Sequence, residues 1–151
     1  MAQEKYIAHI RKEDNKKQSV KEHIKNVSAL SASNASKIGF AKAGELIGLL
    51  HDFGKYSETF QNYIGSATGL IEQDEDEYVN SKGLKGKIDH STAGAQYIWK
   101  LTKGSKIQKQ IVAQLLALSI ASHHSGLIDC LKIDGEMTFA DEWLNQIVKP
   151  I

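Results

Sequence analysis

The chain has one proline and one cysteine among its 151 residues, so neither residue type can organise the fold. A single cysteine, Cys130, cannot form an intrachain disulfide, which fits a reducing cytoplasm, and we interpret it as a packing residue. A single proline excludes collagen-like and proline-rich architectures and leaves long helices unbroken. The composition therefore predicts an ordinary globular domain built without covalent cross-links.

The chain also has almost no net charge and lacks long apolar runs. Lys and Arg number 19 and Asp and Glu 18, so the net charge of +1 does not favour a nucleic-acid binder, and any such surface must be local. The most apolar stretch, residues 111–121, is far shorter than the roughly 20 residues that span a bilayer. The N-terminus lacks the apolar core of a signal peptide. We expect a cytoplasmic protein with no membrane partner.

The pattern that is present is helical. Residues 19–22 (SVKE) have the form of a capping box, which predicts the start of a helix. Apolar residues at helical spacing predict further helices over residues 40–52, 57–64, 91–101, 107–122 and 139–148. The helix over 107–122 is apolar on nearly all sides, so we expect it to be central. Residues 65–88 show no period and predict a long loop, and only residues 132–137 hint weakly at a strand.

Five of the six histidines lie on or beside the predicted helices. Imidazole nitrogens from several helices together with one carboxylate form a ligand set for one or two transition-metal ions. His51 and Asp52 are adjacent at the end of an apolar helix, where a carboxylate can bridge two ions. The full candidate set is His23, His51, Asp52, His90, His123 and His124.

Each of these residues also has an ordinary structural interpretation. Histidines at helix ends often bind backbone carbonyls, and His23 and His90 could lie on the surface. Lys55 is either solvated or placed to pair with a phosphate oxygen. The loop lysines 82, 85 and 87 are either solvated or a rim that contacts phosphates. His9 has no partner in the pattern, and we interpret it as structural.

Residues 51–55 (HDFGK) resemble the H-D-x-G-K signature of the HD phosphohydrolase superfamily. Within it, the resemblance is closest to the CRISPR-associated HD nuclease of type I systems, which is a stand-alone protein or the N-terminal domain of a helicase-nuclease. The stretches that carry it run in the family's order: residues 18–23 (QSVKEH), 48–55 (GLLHDFGK), 89–95 (DHSTAGA) and 122–129 (SHHSGLID).

The resemblance implies an all-α fold, an HD-domain helical bundle around a dinuclear metal site. By match to the motifs, His23, His51 and Asp52 would bind the first ion. Asp52, His90, His123 and His124 would bind the second, with Asp52 bridging. Asp52, Lys55 and Ser91 would be the catalytic side chains. The implied ions are divalent: Mn, Fe, Co, Ni or Zn, with Mg as a further option.

The implied substrate is single-stranded DNA. One ion would activate the attacking water, and both ions would stabilise charge on the phosphate. The implied partners are a helicase domain or subunit and an RNA-guided surveillance complex. The family completes its first metal site with an Asp on a later helix, and Asp129, Asp134 and Asp141 come too soon to match it. We therefore expect residues 1–151 to be an HD nuclease domain truncated at its C-terminus, in which the first ion binds weakly and the second site is complete.

Three other functions fit the same residues. The first is an HD phosphohydrolase that acts on nucleotides or cyclic nucleotides and encloses them in a pocket. The second is a non-catalytic helical interaction module, whose histidines only cap helices and which binds no metal. The third is a fragment that binds metal but has no activity without the missing helix.

Overall fold

The computed structural model describes residues 6–11, 13–84 and 88–124. Within them the chain is mainly helical, as predicted, with one small two-stranded sheet. The elements in chain order are β1 (Ile7–Ile10), β2 (Lys17–Ser19), α1 (Val20–Ser36), α2 (Ala41–Leu50), a single 3₁₀ turn (Phe53–Tyr56), α3 (Glu58–Ala67), α4 (Thr92–Thr102) and α5 (Ile107–Ala121).

The N-terminal hairpin was not predicted from the sequence. Strands β1 and β2 pair antiparallel, with Ile10 opposite Lys17. The pairing is only three to four residues long and irregular, so its alternation is too short to recognise. The hairpin is held on α3 by Gln61, whose side-chain amide accepts from the N–H of Ile7 and donates to its carbonyl.

Helices α1 and α2 form an antiparallel pair that begins at the predicted cap. The Ser19 hydroxyl accepts from the backbone N–H of Glu22, which confirms the helix start. A Cβ atom at Gly48 would lie 2.5 Å from the Cα of Ser28, so the two backbones can approach only because glycine has no side chain there. The Ser28 hydroxyl donates to the carbonyl of Glu45 across this contact.

The core lies where the end of α2 meets α4 and α5. It contains Leu50 of α2, Ala95 and Ile98 of α4, and the buried face of α5 around Ile120. Within the described residues, the expectation that α5 is central holds for only one of its faces. Its small residues face the core, whereas Ile111, Val112 and Leu115 are about half exposed or more.

The remaining predictions have mixed outcomes. The helices predicted over residues 40–52, 57–64, 91–101 and 107–122 are present with shifts of a few residues at their ends. Of the loop predicted over residues 65–88, residues 65–67 instead form the end of α3, whereas residues 68–84 and 88 contain no helix or strand. The predictions for residues 132–137 and 139–148 lie outside the described residues. Within the described ranges, no helix combines the length and hydropathy of a membrane span.

Candidate metal centre

All six histidines of the chain gather around the carboxylate of Asp52. The carboxylate follows the C-terminal residue of α2 by two positions, and its side chain is only 4% exposed. The histidines come from separate elements: one from β1, one from α1, one from the end of α2, one from the start of α4 and two from the end of α5. The fold therefore brings every candidate ligand predicted from the sequence into one cluster.

The Oδ2 oxygen of Asp52 faces the N-terminal half of the molecule. The Nε2 atoms of His23 and His51 lie 2.8 and 3.2 Å from it and 3.2 Å from each other. The Lys55 ammonium also donates to this oxygen, at 2.9 Å. Lys55 is buried, with its side chain 5% exposed, so its charge is compensated mainly by this carboxylate.

The Oδ1 oxygen faces the C-terminal half. The Nε2 atoms of His90, His123 and His124 lie 3.5, 3.4 and 3.9 Å from it. None of these contacts has hydrogen-bond geometry, and Oδ1 is a buried oxygen that accepts no hydrogen bond from the described residues. A buried carboxylate oxygen without a donor costs free energy unless a cation compensates it.

Three of the imidazoles are oriented by the backbone. The Nδ1–H groups of His51, His90 and His123 donate to the carbonyls of Gly48, Ile88 and Ile120 at 2.9, 3.0 and 2.6 Å. Each Nδ1 bond fixes the tautomer that leaves the Nε2 lone pair directed at Asp52. A metal-binding histidine is usually held in this way by its second nitrogen.

The pKa shifts of three of the histidines favour the form that binds metal. Burial lowers the pKa of His23, of His90 and of His124, which favours the neutral, ligand form. Burial also lowers the pKa of His123, but its contact with Asp52 and its backbone bond raise that pKa above the ordinary value. Burial raises the pKa of Asp52, yet the contacts with His123, then His51 and Lys55, outweigh it and hold that pKa well below its usual range.

Two glycines allow the elements to meet at the centre. A Cβ atom at Gly94 would overlap the carbonyl oxygen of Leu50, so with any side chain at this position α4 could not lie this close to the end of α2. A Cβ atom at Gly54 would lie 2.6 Å from the Cα and the carbonyl oxygen of His90. Instead, the N–H of Gly54 donates to that carbonyl at 3.1 Å. The glycine of the HDFGK motif therefore joins the two halves of the site.

His9 is the site residue that the sequence interpretation missed. Strand β1 places its Nε2 atom 3.2 Å from the Lys55 ammonium, and its ring packs on that of His23 with centroids 4.7 Å apart. Its assignment as a residue without a partner is therefore wrong. Partial burial, together with the Lys55 charge, lowers the pKa of His9 to about 4, so it accepts from Lys55 as a neutral ring. The signal that could have found it is a histidine inside the short apolar run 6–10.

The other predicted residues lie around or outside this cluster. The hydroxyl and N–H of Ser91 both donate to Asp89, which sits at the start of α4. Lys82 is exposed in the loop. Lys85, Lys87, Asp129, Cys130, Asp134 and Asp141 lie outside the described residues.

The residues fit a divalent transition metal. Two ligands about 2.1 Å from one ion are separated by about 3.0–3.4 Å, and the nitrogen–oxygen distances around Asp52 bracket that range. Asp52, His90, His123 and His124 each offer a ligand atom within 4.8 Å of the others. Such an ion would satisfy the oriented Nε2 lone pairs and Oδ1, which has no donor in the described part of the chain. Nitrogen-rich ligation does not determine which metal binds.

The comparison with known families agrees with this site. A family model described as "Cas3, HD domain" matches residues 7–144 of the chain. A search of curated proteins found no match. The match extends over most of the chain and includes the hairpin, the HDFGK motif and the histidine pair at the end of α5. The chain therefore belongs to the Cas3 HD domain family of CRISPR-associated HD nuclease domains.

Proposed function

We propose that this domain hydrolyses phosphodiester bonds of single-stranded DNA in CRISPR defence, with divalent metal ions held around Asp52. In this proposal a helicase domain or subunit and an RNA-guided surveillance complex deliver the DNA. Membership of the Cas3 HD family supports the reaction class. The observation that carries the proposal is the Asp52 carboxylate, which is buried between two groups of imidazoles. One of its oxygens accepts no hydrogen bond from the described residues.

The ligands divide between the two carboxylate oxygens. His23 and His51 would hold one ion with Oδ2, and His90, His123 and His124 would hold the other with Oδ1. When bound, such ions supply Lewis acidity toward a phosphate and lower the pKa of water. The chain's own contribution is to fix the imidazoles by their backbone bonds and to keep water away from the buried carboxylate.

Lys55 and Ser91 would have different roles. The Lys55 ammonium has three N–H donors, of which one goes to Asp52 and one to His9. We propose that the third is donated to a non-bridging oxygen of the scissile phosphate, where the positive charge stabilises the transition state. The Ser91 hydroxyl bonds Asp89, so we propose that Ser91 supports the start of α4 and thereby the position of His90.

The exposure of the centre favours a polymer over a small nucleotide. On the Oδ1 side the His124 side chain is 56% exposed, whereas His51 and Lys55 on the Oδ2 side are 12% and 5% exposed. Because the site is exposed to solvent at His124, a continuous DNA strand can lie across it. An enzyme for nucleotides or cyclic nucleotides needs walls that enclose the ligand.

The test is a nuclease assay under manganese on the unmodified chain and on the double variant His51→Ala/Asp52→Ala. We expect the unmodified chain to cut single-stranded DNA and the double variant to lose cutting by about 10³-fold or more, because the metal contribution is several kcal/mol. The matched control is Lys42→Ala/Glu45→Ala, an exposed pair on helix α2, which directly precedes His51. We expect it to cut like the unmodified chain.

Three outcomes would contradict the proposal. Equal cutting by the double variant would remove Asp52 from the mechanism. Hydrolysis of nucleotides or cyclic nucleotides in preference to single-stranded DNA would favour the phosphohydrolase. Absence of bound metal, together with no activity on either substrate, would favour a non-catalytic helical module.

A further inference from the structure

A cleft of about 290 Å³ lies beside the metal centre, between the β1–β2 hairpin and the first turn of α1. Three basic side chains line it, those of Arg11, Lys16 and Lys17, against one carboxylate, that of Glu22. We call this region the basic cleft. Since the whole chain carries a net charge of only +1, three cations in one cleft are a local excess.

The basic cleft is connected to the centre through His9. His9 lines the cleft and also contacts Lys55 and His23. The Nε2 atom of His23 in turn lies 2.8 Å from Oδ2 of Asp52. Glu22 of the cleft directly precedes His23 in α1. A ligand in the cleft is therefore one residue away from the Oδ2 side of the centre.

The cations of the cleft are accessible to an anion. Lys16 and Lys17 are exposed. Arg11 donates to both carboxylate oxygens of Asp14, at 2.8 and 2.6 Å, but both side chains are at least half exposed, so water and salt screen the pair. A phosphate group can compete with Asp14 for the guanidinium, which binds phosphates through two parallel N–H groups.

We propose that the basic cleft binds the phosphates of single-stranded DNA next to the scissile bond, so that the strand runs from the hairpin past His9 into the metal centre. This proposal rests on the proposed function, since it names the path of the same substrate. Single-strand binding proteins combine a positively charged groove with loose sequence preference, and a cationic cleft at an active site serves that purpose. His9 marks the boundary, with the phosphate-binding cations on one side and Lys55 on the other.

The test measures binding of a fluorescein-labelled oligodeoxythymidylate by fluorescence anisotropy, in chelator, so that the strand stays intact. We expect Lys16→Glu/Lys17→Glu to weaken binding about tenfold or more at low salt. In Lys16→Ala/Lys17→Ala the slope of log Kd against log salt should fall by about 1.4, since about 0.7 is lost for each single-strand phosphate contact. The control is Lys100→Glu/Lys103→Glu, which makes the same charge change at the far end of α4 and should bind nearly as the unmodified chain does.

Metal content and the midpoint of thermal unfolding show whether each variant is intact. If a variant fails this check, the salt dependence of the unmodified chain is measured instead. The slope of its log Kd against log salt must be at least about 1.4 if both lysines contact phosphates. Unchanged affinity and slope in both lysine variants, an equal loss in the control, or no binding by the unmodified chain would each overturn the proposal. A chain that binds through the cleft yet cuts nothing under manganese contradicts the proposed function and leaves the cleft in place.

Discussion

The two sides of the Asp52 carboxylate differ in how its charge is compensated. On the Oδ2 side a protein cation, Lys55, is already in place at 2.9 Å. On the Oδ1 side three imidazoles converge, but no hydrogen bond reaches the oxygen from the described residues, and His124 opens to solvent. The same carboxylate is therefore satisfied by the chain on one side and depends on an added cation on the other.

This difference indicates which ion should bind more tightly. An ion on the Oδ2 side must approach a buried ammonium of like charge, which weakens its binding. Among the described residues, an ion on the Oδ1 side meets an oxygen without a hydrogen-bond donor and three nitrogens, with no ammonium beside them. The asymmetry gives a structural basis for the prediction that the first site, at His23 and His51, is the weaker one.

Replacing Asp52 by Asn should impair metal binding on both sides of the carboxylate and have the largest effect. The amide keeps the shape of the side chain but has no charge and only one acceptor, so it cannot bridge two ions. We expect cutting of single-stranded DNA under manganese to fall by about 10³-fold or more, with loss of tightly bound metal. Metal content after dialysis is the second readout, and a variant that keeps two bound ions would contradict a shared carboxylate.

Single-ligand variants should separate the two sides. His23 and His90 are a matched pair, because both side chains are 16% exposed and both have lowered pKa values. We expect His90→Ala to weaken the tightly held ion on the Oδ1 side by at least the 10–100-fold that loss of an outer partner causes. His23→Ala should weaken only the looser ion, on the Oδ2 side. Calorimetric titration with manganese measures both. Tight binding that survives in His90→Ala but is lost in His23→Ala would reverse the comparison.

The Oδ1 side was easier to predict from the sequence than the Oδ2 side. His90 and the pair His123 and His124 lie beside the ends of helices that the sequence predicts, and the match to the HD motifs implied that they bind one ion. On the Oδ2 side, His9 lies in a strand of four residues, and its contact with Lys55 is made across 46 positions of the chain. Local periodicity contains no information on such a contact.

The exposed face of α5 shows a second limit of sequence reasoning. Its composition is apolar on nearly every side, which predicts a central helix. In the described residues only the face with Ala113, Ala117 and Ile120 packs against α2 and α4. Hydrophobic composition indicates how much surface can be buried, whereas the packing partners decide which face is buried.

Replacing Lys55 by Met should make the two sides more alike. The change removes the buried positive charge next to Oδ2 and keeps most of the side-chain volume. We expect the weaker ion to bind about tenfold more tightly, because like-charge repulsion is lost. Cutting should nevertheless fall, since the donor to the phosphate is gone. Lys42→Met, an exposed change on α2, is the control for the loss of one charge. Weaker manganese binding in Lys55→Met would show that the ammonium supports the site instead of competing with the ion.

The smallest expected effect comes from Gly54→Ala, which changes the distance between the sides and no ligand. The added Cβ would meet the backbone of His90 at 2.6 Å, so the 3₁₀ turn must move away from the start of α4. The control, Gly65→Ala, introduces an equally close contact, but with the flexible end of the Ile71 side chain. We expect manganese affinity on the Oδ1 side to fall about fivefold in Gly54→Ala, which corresponds to the lower end of the 1–3 kcal/mol that overpacking costs. Because the control moves no ligand, it should lose thermal stability at most and keep its metal affinity. Equal affinity in both variants would mean that His90 holds its position without the motif glycine, and that the two sides of Asp52 are assembled independently.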